Sequence, residues 1–336
     1  MATVADPLLG AGFLLAAAIS LGASWLLVAA LERVGARLGL SEALLGMLAA
    51  LAADAPEITA AVTALLRHDQ RVGAGVIIGS NAFNLAALIG LSGVVAGSVA
   101  LHRRVIELAG VVALWIAAVT LTVVLGGCSP LAGLLLVLAL FVPYLVVLGM
   151  RHERLGRLPL PDSWAAWLLA AVSEEESELE VAVHPPRGRG RDAGFALVAV
   201  CVVVGASVAM ERTASELGTR HAVPSILIGA LVLAAVTSLP NAVAGVYLAA
   251  RGRGAAALST SLNSNAINVL AGLLIPTSLL GIAAPSAPTT LIAAGNVGMT
   301  VLVLLTCYAN HGLRRGAGIA ILAAYGAFVA TLVAIA

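Results

Sequence analysis

The sequence contains no lysine; all eighteen of its basic residues are arginine. Charge of either sign is scarce. Only 10% of the 336 residues are charged, where soluble globular domains carry about a quarter. With 61% hydrophobic residues, such a chain cannot cover a water-facing surface, which excludes a soluble globular protein. The net charge of +1, with no long basic cluster, gives no footing for nucleic acid. Cysteine is limited to Cys128, Cys201 and Cys307, each isolated. That excludes a disulfide framework and a thiolate metal motif. The six histidines, His68, His102, His152, His184, His221 and His311, fall in or near loops, and none pair at metal-ligand spacing within a membrane segment, so no zinc centre is read. No nucleophile has an adjacent base, which argues against an intramembrane enzyme. The N-terminal region has no basic stretch before its apolar run, which extends from about Leu8 to Ala30 and is long enough to span. A signal peptide is therefore not expected.

What is present is hydrophobic sequence in long runs. Ten expected spans cover roughly 8–30, 40–64, 72–97, 105–126, 130–150, 193–210, 222–249, 255–283, 288–309 and 316–335. Each is near the roughly 20 apolar residues that a helix needs to cross a bilayer, and the sixth is the shortest. The expected fold class is an all-α polytopic membrane protein. One long hydrophilic stretch, 151–192, divides the chain into 1–150 and 193–336. It carries Glu174, Glu175, Glu176, Glu178 and Glu180, then Pro185, Pro186, Arg187, Arg189 and Arg191. It reads as a linker, with an amphipathic interfacial helix around Trp164–Val172. Its acidic run lacks the alternating spacing of a calcium loop and reads as a solvated charged face.

The most informative stretch is Leu45–Asn84. Two apolar segments flank the polar turn Arg67–Arg71, with Asp54, Pro56 and Glu57 deep in the first and Ser80, Asn81 and Asn84 in the second. A carboxylate in hydrocarbon is costly and marks function. A proline beside it breaks the helix and frees carbonyls. The pattern returns in the second half. Pro240, Asn241, Ser264, Asn265 and Asn268 follow Pro56, Glu57, Ser80, Asn81 and Asn84 at one offset of 184 residues. The motif Gly22–Ser24 likewise returns at Gly205–Ser207, shifted by one. The chain is a duplicated unit.

Hard cations such as Na⁺ and Ca²⁺ prefer oxygen ligands. Candidate cation ligands are Glu57 and Asp54, then Ser80, Asn84, Thr237, Ser238, Asn241, Ser264 and Asn268. Asp54 lies three residues before Glu57, on the same face if the helix turn is unbroken; as an alternative to ligation it faces a vestibule. Asn81 and Asn265 are assigned to helix-packing hydrogen bonds, and Gly46, Gly79 and Gly229 to close helix approach.

Arginine counts set the orientation. Fourteen of the eighteen fall on the side of the linker, and Arg67, Arg71, Arg212 and Arg220 on the other. The linker side is then cytoplasmic and both termini face outward, in a cell membrane. Each half contributes five spans, an odd number, so the second half inserts inverted. Paired inverted repeats with broken helices are the architecture of many secondary transporters.

These motifs resemble the sodium/calcium exchanger membrane family of the cation/calcium antiporter superfamily. The family pairs a segment like GTSxPE with one like GSNxxN or GSNxxD in each of two inverted five-helix repeats. Here Ala53–Glu57 reads ADAPE and Gly79–Asn84 reads GSNAFN; Thr237–Asn241 reads TSLPN and Asn263–Asn268 reads NSNAIN. The resemblance covers both halves and omits the linker. It implies a site that binds Na⁺ and Ca²⁺ alternately, with two glutamates and surrounding polar residues. The second family glutamate position is Asn241, and the position often aspartate is Asn268. Ala53 and Asp54 occupy the threonine and serine positions of the first repeat. The site thus keeps one family carboxylate and gains another, for a maximum side-chain charge of minus two.

The expected function is a secondary cation antiporter exchanging Na⁺ and Ca²⁺, with no bound cofactor. Its partners would be inorganic cations and the lipid bilayer, and no nucleic acid. Two alternatives stand beside it. One is an antiporter coupled to H⁺ and moving Ca²⁺, Na⁺ or another cation. The other is a membrane sensor or scaffold with a degenerate site.

Overall fold

The computed structural model describes residues 5–38, 42–150, 161–180, 189–252 and 254–336. Helices dominate it. The first half contains α1 (Asp6–Leu38), α2 (Glu42–Ala53), α3 (Ala55–Leu66), α4 (Gln70–Ala96), α5 (Arg103–Val124) and α6 (Pro130–Leu148). The linker contributes α7 (Asp162–Glu180). The second half contains α8 (Gly190–Arg220), α9 (Ser225–Thr237), α10 (Leu239–Ala250), α11, α12 (Ala287–Ala309) and α13 (Arg315–Ile335). Helix α11 runs as Gly254–Ile267, Asn268–Leu274 and Ile275–Leu280. Among the described residues eight helices are long and apolar enough to cross a membrane, and α9 with α10 forms a ninth candidate bent by 48°. Helices α2 and α3 have 12 residues each, about half a crossing apiece.

The architecture is not purely helical. Ser98–Ala100 (β1) pairs antiparallel with Gly312–Arg314 (β2), joining the α4–α5 loop to the α12–α13 loop. Three-residue strands carry no readable alternation, so sequence patterning does not reveal them.

Helices α1 and α8 pack along each other and run antiparallel. Arg33 meets Asp192 at 3.0 Å at one end of the pair, and Asp6 meets Arg220 at 2.9 Å at the other. With 33 and 31 residues, each is about 45–50 Å long and exceeds the hydrocarbon thickness, so each tilts or protrudes. The sixth span is accordingly much longer than the 193–210 of its apolar run. The helix continues past Glu211 because that carboxylate is neutralised by Arg67 at 3.1 Å and bonded by Ser215 at 2.9 Å.

Close approach centres on α4 and α9. A Cβ on Gly79 would lie 2.5 Å from the Ala230 carbonyl oxygen, and one on Gly229 would strike the Val72 carbonyl. Only glycine permits these backbones to cross so closely. Gly46 lies outside the residues whose side chains are described. The linker helix α7 extends beyond 164–172 through the acidic run. It buries Ala171 and Val172 and pairs Glu174 with Arg104 at 2.8 Å. The acidic run therefore begins with a docked side chain, not a free solvated one. The three cysteines are all free thiols.

Candidate cation site

The centre of the molecule is built from two helix breaks. Proline cannot donate a backbone hydrogen bond, and the helices part at Asp54 and Ser238, two residues before Pro56 and Pro240. The breaks match in detail. Asp54 has φ −80° and ψ −8°; Ser238 has φ −83° and ψ 0°. Each is followed by a 12-residue helix ending before an arginine, Arg67 or Arg251. The freed carbonyl of the first break, on Ala52, accepts the hydroxyl of Ser24 from α1 at 2.8 Å. Ser24 was legible in the sequence only as part of a repeated tripeptide. Its signal is the proline itself, which obliges some buried donor to reach that carbonyl.

The helix breaks at Asp54, yet the carboxyl groups of Asp54 and Glu57 still meet. Asp54 occupies the break, at the N-cap of α3, and Glu57 lies in the first turn. Both are fully buried. Their remaining partners come from the other repeat. Asp54 Oδ1 accepts Asn241 Nδ2 at 2.7 Å and Ser264 Oγ at 2.6 Å. Glu57 Oε1 accepts the Ser238 hydroxyl, and Oε2 accepts Asn268 Nδ2 at 3.0 Å. Because Asp54 corresponds to Ser238 and Glu57 to Asn241, the Ser238–Glu57 and Asn241–Asp54 bonds are the same contact seen from each repeat.

The asparagines close the frame. Asn81 Nδ2 donates to the Asn265 carbonyl and Asn265 Nδ2 to the Asn81 carbonyl, both at 3.0 Å. This reciprocal pair locks α4 to α11. Asn84 Nδ2 reaches Asn265 Oδ1 at 3.1 Å and Ser264 Oγ at 3.4 Å. Directly after Asn84 the helix widens to π-helical geometry over Leu85–Leu91, and at Asn268 it does so over Asn268–Leu274. Such widening recurs at functional sites because it re-aims side chains. Two predicted site residues turn away: Ser80 donates to the Ile77 carbonyl at 3.1 Å, and Thr237 to the Leu233 carbonyl at 2.8 Å. Both remain buried beside the network, with hydroxyl lone pairs available.

The chemistry of this donor set fits a hard cation. Three buried oxygens, Asp54 Oδ2, Asn84 Oδ1 and Asn268 Oδ1, have no hydrogen-bond donor. Buried acceptors are normally satisfied. Each can serve as a cation ligand, and among the described residues no basic side chain is bonded to any of them. Sequence reading also missed Asn296 and Thr300 on α12. With Asn81 and Asn265 they line a narrow pocket with room for about one water molecule. An asparagine in an apolar helix between two glycines was the available signal.

The sequence profile of the family described as "Sodium/calcium exchanger protein" matches residues 8–150 and 192–334. The chain belongs to this family. The match passes over the linker and takes in both breaks. Its relatives are ion exchangers, not enzymes. The sodium/potassium/calcium exchanger Nckx30C of Drosophila melanogaster is 32% identical over 125 residues, which is 35% of this chain and only 14% of the fly protein. Among solved structures, the H⁺/Ca²⁺ exchanger CAX is similar with a TM-score of 0.68 at 15% identity, covering 97% of this chain and 86% of that one. The sodium-calcium exchanger NCX_Mj is similar with a TM-score of 0.61 at 19% identity, covering 97% of this chain and 99% of that one. Likeness at these identities establishes the fold alone; the family rests on the profile match, and the coupling ion is left open.

Proposed function

We propose that this protein is a secondary active antiporter that exchanges Ca²⁺ for Na⁺ by alternating access of the Asp54–Glu57 site. One observation carries the reading. Two fully buried carboxylates lie among oxygens from both repeats, and Asp54 Oδ2, Asn84 Oδ1 and Asn268 Oδ1 have no donor. Burying charge without a counter-charge is costly, so cations supply it. Glu57 and Asp54 provide the charge. Ser80, Asn84, Thr237, Ser238, Asn241, Ser264 and Asn268 provide dipolar oxygens and hold the carboxylates in place.

The same reading assigns ten spans in two inverted five-helix units, 1–150 and 193–336, joined by a cytoplasmic linker with both termini outside. In it, α2 with α3 forms one broken crossing and α9 with α10 its counterpart. The antiparallel course of α1 and α8, which open the two units, supports the inversion. So does the reciprocal Asn81–Asn265 pairing.

The test is flux in liposomes containing the purified protein, with Na⁺, Ca²⁺ and pH gradients set independently. Ca²⁺ uptake into Na⁺-loaded vesicles is expected, with inhibition at low pH as protons occupy the carboxylates. Uptake driven by a pH gradient alone would transfer the coupling role to H⁺. No flux under any gradient would overturn the antiport reading in favour of a sensor or scaffold.

A further inference from the structure

Four carboxylates are buried among the described residues: Asp54, Glu57, Asp192 and Glu211. Glu211 lies outside the cation site, on α8, with 1% of its side chain exposed. Its Oε2 accepts Arg67 Nη1 at 3.1 Å, and Oε1 accepts the Ser215 hydroxyl at 2.9 Å. Arg67 closes α3, the 12-residue helix whose first turn carries Glu57. The pair therefore ties the far tip of a site-bearing helix to α8, the helix that opens the second repeat.

The mirror-image contact differs. Arg251 closes α10 at the position of Arg67, yet its guanidinium lies over the ring of Tyr247 on its own helix, 4.7 Å from the centroid. By the 183-residue offset of the Gly22–Ser24 repeat, Glu211 corresponds to Val28 on α1. The nearest acid on α1, Glu32, stands one turn further on, at the position of Ser215. Packing is unequal in the same sense. Helix α8 lies closely along α3, whereas α1 barely touches α10. Leu239, Val243 and Tyr247 on α10 are 45%, 69% and 53% exposed, and their counterparts Ala55, Thr59 and Thr63 on α3 are not. One site-bearing helix is covered and its counterpart is bare. Inverted halves that trade roles between access states differ in this way within either state.

We propose that the Arg67–Glu211 pair is a latch that holds α8 closed over α3 in the described conformation and parts when access to the site passes to the other side. The inference rests on the antiport reading above. A buried carboxylate that loses its cationic partner is heavily penalised, so the contact resists separation until water reaches Glu211. Arg67 has 47% of its side chain exposed, so water can take over its bonds as the helices part. Because the described conformation is latched at one end only, the pair weights the two access states unequally. Its loss favours the state in which α8 leaves α3.

The experiment is a pulsed electron spin resonance distance measurement in liposomes. Spin labels sit at Arg71→Cys and Arg212→Cys, two exposed positions flanking the pair, in a chain without Cys128, Cys201 and Cys307. Glu211→Gln keeps the size and the acceptor for Ser215 and removes the charge. It is expected to raise the ratio of long to short distances roughly tenfold, and Arg67→Gln should do the same. Arg67→Gln, at an exposed turn, decides the matter if Glu211→Gln lacks a parent-like detergent melt. Exchanging the charges, Arg67→Glu with Glu211→Arg, should restore the parent distribution. Flux in the parent with parent-like distances in both single variants would overturn the latch and leave antiport standing. Long distances that persist in a folded charge-exchanged protein would mark the contact as packing alone and also overturn the latch. Absence of Ca²⁺ flux in the parent under both Na⁺ and pH gradients would overturn antiport and the latch together.

Discussion

Replacing Ser24 by alanine should loosen the first helix break while sparing the second. Pro56 has no N–H to give the Ala52 carbonyl, and the Ser24 hydroxyl supplies the missing donor at 2.8 Å. Alanine fills nearly the same space, so the loss is almost purely that of the bond. A buried carbonyl stripped of its donor costs about 1–3 kcal/mol. Interhelical hydrogen bonds in membranes average about 0.6 and reach about 1.7 kcal/mol, because the unfolded chain also finds partners. The overlap of these ranges is about 1–1.7 kcal/mol, or roughly 5- to 20-fold in an equilibrium constant. Ser207, the repeat counterpart, bonds the Ser20 hydroxyl at 2.7 Å and no main-chain carbonyl. Ser20 can turn to its own helix when that partner is lost. Ser207→Ala should therefore cost less than Ser24→Ala, by about 1 kcal/mol. Thermal unfolding in detergent, with calorimetric Ca²⁺ titration of each variant, reads the difference. Equal effects of the two substitutions, or none from Ser24→Ala, would refute the carbonyl-capping argument.

Asp54→Asn should weaken Ca²⁺ binding by about tenfold or more, and by more than Asn84→Ala, because it removes a charge where the other removes a dipole; titration calorimetry ranks them. Gly79→Ala should destabilise the protein by about 1–3 kcal/mol through overpacking, since the new Cβ would sit 2.5 Å from the Ala230 carbonyl. Size-exclusion and thermal melts in detergent would show it, and a parent-like melt would contradict the close crossing of α4 and α9. Single cysteines replacing Arg103, Glu176 and Arg253, in a chain without its native cysteines, should react only with reagents on the cytoplasmic side. Labelling of all three from outside intact cells would invert the proposed topology.

The sequence announced the site where it broke an energetic rule. Asp54, Pro56 and Glu57 stand out because ionisable groups and prolines are rare inside apolar runs, and the 184-residue offset exposes their counterparts. The pairing itself was not legible. That Glu57 meets Ser238 and Asp54 meets Asn241 depends on how the two halves interlock, which no local pattern encodes. The three-residue spacing does bring Asp54 and Glu57 together: although the helix breaks at Asp54, their carboxyl groups still meet. Hydropathy closed the sixth span near Met210, since the neutralising contact between Glu211 and Arg67 spans 144 residues of sequence. The docking of Glu174 on Arg104 and the β1–β2 ribbon are tertiary events of the same kind. The family resemblance and the helical class, by contrast, rest on motifs and composition, and the family match agrees with them.

The central claim is that Glu57 carries cation charge at the exchange site, and Glu57→Gln tests it most directly. Glutamine retains the shape; its oxygen can still accept from Ser238, and its NH2 can donate to the Asn268 amide oxygen once that amide turns over, so the fold should survive, as a parent-like detergent melt would verify. One negative charge is lost, and a bound divalent ion is left with an uncancelled charge costing at least about 2.5–3.5 kcal/mol, or roughly 70- to 400-fold in affinity. Ca²⁺ uptake into Na⁺-loaded liposomes by the variant should fall to background, with no calorimetric Ca²⁺ binding in the range where the parent saturates. Uptake and binding like the parent's would contradict the assignment of the site.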